Sequence, residues 1–142
     1  MSNVRQLVHA LELAIFDWVR SEFPPLLEEI ESQLVGIAGA EPTYTNGGGF
    51  FLSLHPAPGA VPLPASFLAK FASLEGPTIS SPELQLGAST TIHVNPHGYF
   101  SSLEIWSHAG DYPRDRHPAK FSLSRPAGTY IDLRGMEAGD NA

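Results

Sequence analysis

This chain of 142 residues contains no cysteine. Disulfides, thiolate nucleophiles and cysteine-ligated zinc are therefore excluded. Basic residues are scarce too: eight Lys and Arg stand against fifteen Asp and Glu, for a formal net charge of -7. So few scattered cations make no positive stripe for phosphate contacts, and nucleic-acid binding is not expected. A long apolar run is also missing. The N-terminal MSNVRQLVHALELAIFDWVR carries Arg5, His9, Glu12 and Asp17 inside its apolar pattern. That fits neither a signal-peptide core nor a membrane span, so a cytoplasmic protein without membrane association is the expectation.

The local signatures of common chemistries are absent as well. Asn46-Gly47-Gly48-Gly49 leads into a strand rather than a helix N-terminus, and it lacks the Lys-Ser/Thr ending of a phosphate loop. No serine stands in a GxSxG setting. The prolines of HPAPGAVPLP lack PxxP spacing with basic flanks. No cofactor is expected. An acidic surface suits solubility, or a basic partner met through complementary charge.

What is present supports a packed core: Leu, Ile, Val and Phe make up 37 of the 142 residues. The length suits one domain, expected over residues 1–134, with 135–142 as a disordered tail. Val4, Leu7, Val8, Leu11, Ile15, Trp18 and Val19 recur at three- and four-residue spacings. They predict an amphipathic helix over 3–22 that buries Trp18, with Leu13 and Phe16 widening the stripe and Glu12 mostly on the polar side. Pro24-Pro25 ends it and can open a second helix, with Leu26, Leu27, Ile30 and Leu34 on its core side. Glu28, Glu29 and Glu31 sit early in that helix, where they favour its dipole, and Gly36 and Gly39 are its stops. A turn over 45–49, a strand over 50–55 and an extended connection with four prolines in HPAPGAVPLPAS follow. A short helix over 66–74 would bury Phe67, Leu68 and Phe71. Strands are expected over 120–124 and 129–134. The fold class is α+β: two N-terminal helices plus a short helix on a mainly antiparallel sheet of four or five strands.

Residues 86–110 predict a β-hairpin turning at Asn95-Pro96-His97-Gly98. Pro96 holds φ near about -65°, which excludes the primed turns of two-residue hairpins and favours a type I turn with Gly98 as a left-handed bulge residue. That register puts Ile92 and Val94 on one face and Leu103 and Ile105 on the other. The hydrophobic pattern favours all four on one face. A further bulge near Ser101-Ser102 reconciles the two, and the register stays open at this stage.

Candidate sites cluster in and after the hairpin. His93 and His97 have metal-ligand spacing, but the spacing straddles a turn and a third ligand among His108, Asp111 or His117 would have to fold back, so no metal site is expected. Glu104 lies between apolar neighbours, where a raised pKa could suit acid or base work, and by alternation it shares a face with Trp106. The most chemically varied loop holds His108, Asp111, Tyr112, Arg114, Asp115, Arg116 and His117. Loops of this kind carry binding residues, with Tyr112 and Arg114 as the expected anchors for a protein partner.

The stretch from Thr91 to Trp106, with Gly110-Asp111-Tyr112-Pro113, resembles small bacterial toxin-immunity proteins. In those a helix-first α+β domain ends in a hairpin with an LEIY/W strand and an acidic-aromatic loop. The resemblance implies a non-enzymatic protein-binding module that neutralises a partner, a basic toxin being the fit to this acidity. One alternative is a small enzyme or ligand-binding domain using His93, Glu104 and His108 in a pocket. Another is a structural subunit or homodimer pairing through a sheet edge.

Overall fold

The computed structural model describes residues 5–6, 10–39, 42–45, 47–113 and 118–126. The first helix, α1, is Ala10–Glu22. It is shorter than its apolar spacing suggested. Arg5–Gln6 form a strand, β1, that pairs antiparallel with β2 at Ala38–Gly39. Over so short a run, helix and strand patterns coincide and backbone pairing decides. The buried stripe of α1 is also rotated from expectation. Leu11, Ile15, Phe16 and Val19 are buried, and so is Glu12, while Leu13 is 48% exposed. Trp18 is only partly buried and meets Phe23 edge-on at 6.4 Å.

Pro24–Leu26 form a 3-10 turn that runs directly into α2, Leu27–Leu34. Helix α2 buries Ile30 and Gln33 and leaves Leu27 exposed. Gly36, at φ +72°, follows its end. The third helix, α3, is only Ala65–Leu68. Residues expected to extend it instead form β5, Ser73–Glu75, because the alternation of Ser73, Leu74 and Glu75 matches a place on the edge of β7.

The remaining strands are β3 (Thr43–Thr45), β4 (Gly49–His55), β6 (Thr78–Ser81), β7 (Leu84–Val94), β8 (Phe100–Ser107) and β9 (Ser122–Ser124). They form one antiparallel sheet in the order β1-β2-β4-β8-β7-β6-β9, with β3 added on β4 and β5 on β7. The class is α+β, as expected. The sheet has nine strands rather than four or five because six of those described have only two to four residues. The strand expected over 129–134 and the tail 135–142 lie outside the described residues.

The hairpin of β7 and β8 satisfies both of its competing rules. Asn95 N–H donates to the Tyr99 carbonyl at 2.8 Å, leaving a three-residue turn with Gly98 at φ +95°. Asn95 Oδ1 accepts from His97 N–H and Tyr99 N–H and locks that turn. Val94 then faces Phe100 while His93 faces Ser102, so Ser101 is the extra residue of a bulge. The bulge returns Leu103 and Ile105 to the face of Ile92 and Val94, and all four are buried.

One core cluster joins the helices to the inward face of the sheet, with the Phe16 ring 6.3 Å from that of Phe100. At its rim Gln33, fully buried, ties three segments together. Its amide nitrogen donates to the carbonyls of Val61 at 3.1 Å and Gly98 at 2.8 Å, and its oxygen accepts from Phe100 N–H at 2.7 Å. Ser32 Oγ accepts from Val61 N–H, so the proline-rich connection is strapped between α2 and the hairpin tip.

Candidate functional site: the open face of the sheet

Alternation along each strand sends every second side chain away from the core. Outward on β4 are Phe51, Ser53 and His55. Outward on β8 are Ser102, Glu104 and Trp106, and on β7 Ser89, Thr91 and His93. The register lines these into rows. Phe51 faces Glu104, Glu104 faces Thr91, and Thr91 faces Glu75 of β5. Gly49 faces Trp106, which faces Ser89. A Cβ on Gly49 would run into the Ile105 backbone, so only glycine permits this close approach of β4 to β8.

Glu104 is the centre of this face. His93 Nε2 lies 2.8 Å from its Oε1, with 39% and 27% of the two side chains exposed. Phe51 stands directly across from Glu104 and Trp106 two residues along its strand; each aromatic is 37% exposed. The shared face expected for Glu104 and Trp106 is therefore present, and it points away from the core. Glu75 completes the row. Partial burial raises its carboxyl pKa, and a hydrogen bond from Thr91 pulls the other way. Among the described residues no ion pair involves Glu75. Strands β3 to β9 contain no Lys or Arg at all.

The loop after β8 borders this face. A left-handed Gly87, at φ +80°, sits where the β6–β7 pairing shifts register. The Leu86 carbonyl lies 2.9 Å from His108 Nδ1, and His108 Nε2 is 2.5 Å from Ser89 Oγ. A carbonyl only accepts, so Nδ1 carries the proton and Nε2 can accept from the serine. His108 is thus exposed but fastened across the outward row. Asp111 is exposed and lies close against Gly47. Tyr112, suggested by the sequence as a partner anchor, is 3% exposed: its ring packs 5.5 Å from Phe50, and its N–H donates to the Gly47 carbonyl. An aromatic in a polar loop here serves as an internal peg. Arg114, Asp115, Arg116 and His117 lie outside the described residues.

His93, Glu104 and His108 do not converge. His93 bonds Glu104, whereas His108 bonds Ser89, four residues and about 13 Å further along β7. Two open grooves, of about 600 and 730 Å³, are lined by none of these three residues. One runs between Ser53–Gly59 and Asn95–Ser101, the other along Pro24–Val35. Among the described residues no three of His, Asp and Glu come together as metal ligands. No described helix is long and apolar enough to cross a membrane. Gln33 gave no sequence signal, since a polar residue in a helix ordinarily reads as solvent-facing. Phe51 could have been found by the same alternation that picked out Glu104. No family model, curated protein or solved structure matches this chain.

Proposed function

We propose that this chain is a non-enzymatic protein-binding module of toxin-immunity type, acting in the bacterial cytoplasm, that docks a basic partner protein on the open face of its sheet. One observation carries the reading. Phe51 and Trp106 stand exposed on the same face, diagonal across the β4–β8 pair, with Glu104 opposite Phe51, Glu75 further along its row beyond Thr91, and no Lys or Arg on strands β3 to β9. Aromatic side chains anchor interfaces when a partner strips them of water, and an acidic surround selects a basic partner. The immunity class rests on the resemblance of the Thr91–Pro113 span. The burial of Tyr112 shifts the expected anchors from the loop to the strands, with His108 at the border.

Growth assays with the product of the adjacent upstream gene test the reading, combined with calorimetry on the two purified proteins. The expected result is growth inhibition relieved by co-expression of this chain, with binding weakened at least about 30-fold by Trp106→Ala, the loss of about 2 kcal/mol typical of an anchor. Absence of both toxicity and binding overturns the immunity reading. Concentration-dependent self-association abolished by Trp106→Ala would make a second copy the occupant instead. The shared negative charge of two such faces opposes that outcome.

A further inference from the structure

We propose that Glu104, framed by Phe51 and Trp106, is an arginine-recognition site. The inference rests on the open face being the docking surface, and adds which side chain that surface reads. The geometry favours arginine over lysine. A guanidinium is flat, weakly hydrated and forked, so it can lie on an aromatic ring while its N–H groups reach a carboxylate. An ammonium is a compact, strongly hydrated point charge and gains less from a flanking ring.

Glu104 offers that combination. Phe51 lies across the strand pair, at a separation of about 5 Å, and Trp106 lies two residues along the same strand, about 7 Å away. Both rings therefore border the approach to the carboxylate on the outward face. His93 Nε2 engages Oε1 alone, which steadies the carboxylate and leaves Oε2 for an incoming donor. Beyond Thr91 stands Glu75, about 10 Å from Glu104 between backbones, so the row holds a second carboxylate with no cation of its own. A cation supplied in trans would therefore serve Glu75, and Glu104 through the oxygen that His93 leaves open.

The test titrates the full-length, 15N-labelled chain with an eight-residue peptide of alternating Arg and Gly, and with its Lys-Gly counterpart. The signals read are the Trp106 indole N–H and the backbone amides of Phe51 and Glu104. The expected result is saturable shifts with the Arg peptide and an affinity about five-fold weaker for the Lys peptide. A similar loss should follow Glu104→Gln and Trp106→Leu, both confirmed folded by their spectra. Equal response to the two peptides, or unchanged binding in Glu104→Gln, overturns the inference. If the upstream gene product binds while the Arg peptide does not, the arginine site falls and the docking reading stands. If the Arg peptide binds as expected and the gene product does not, the immunity reading falls alone.

Discussion

Gln33 links the proline-rich connection, the hairpin tip and the start of β8 through three backbone hydrogen bonds. Replacing it with alanine strips the buried Phe100 N–H of its partner, whereas the Gly98 carbonyl keeps the Leu63 N–H. An orphaned buried polar group costs about 1–3 kcal/mol, so Gln33→Ala should lose about that much by urea titration. A loss under about 1 kcal/mol would mean that water replaces the amide. Tyr112→Ala should cost about 3 kcal/mol through lost packing on Phe50, near the low end for core aromatics, with its effect on partner affinity small once folding is accounted for. Glu75 gives a pH signature. Its carboxyl pKa is raised by burial, so the folded chain holds that proton more tightly than the unfolded one. The stability it contributes is complete below the ordinary value of 4.5 and disappears as pH rises through the folded value. Glu75→Gln should therefore raise the urea midpoint at pH 7 and leave it unchanged well below 4.5. The same midpoint for both proteins at both pH values would show that solvent relieves the carboxylate.

Among the elements, the hairpin is where sequence and structure speak most directly. Pro96 and Gly98 pointed to the turn and the apolar alternation to the face; a bulge near Ser101-Ser102 was one way to reconcile them, and one is found at Ser101. The bulge can be tested without altering the turn. Ser101→Ala removes only its hydroxyl bond to the His93 carbonyl and should unfold within a few degrees of the parent. Deleting Ser101 slips the register by one, sends Leu103 and Ile105 outward and should abolish cooperative thermal unfolding. A cooperative melt in the deletion would show that the hairpin re-forms the bulge elsewhere. The fold class, the Phe50–His55 strand and the second helix were legible because each carries its own period. The two- and three-residue strands were not, since a run that short has no period and is held by its neighbours. The burial of Gln33 and Tyr112 was invisible for a related reason: what surrounds Gln33 comes from residues 61, 98 and 100, and what surrounds Tyr112 comes from residues 47 and 50.

Across the whole molecule, charge is distributed unevenly along the chain. From Glu22 to Pro113 there are nine acidic residues and a single basic one, Lys70. A field of one sign over that span should speed encounter with a basic partner. The association rate should therefore fall as salt is raised from about 0.02 to 0.3 M, with the dissociation rate changing less. A salt-independent association rate in stopped-flow mixing would remove charge steering from the account. The bonds of Gln33 act on a different clock. They join positions 28, 65 and 67 residues apart, and chain closures that wide are entropically the costliest to complete before the surrounding structure exists. Contacts formed after the folding barrier slow escape from the native state without hastening arrival. Gln33→Ala should thus leave the refolding rate nearly untouched and steepen the loss on the unfolding arm of a chevron plot. A slower refolding arm would place the amide within the nucleus instead. On this account a single glutamine sets how long the folded chain persists rather than how quickly it forms.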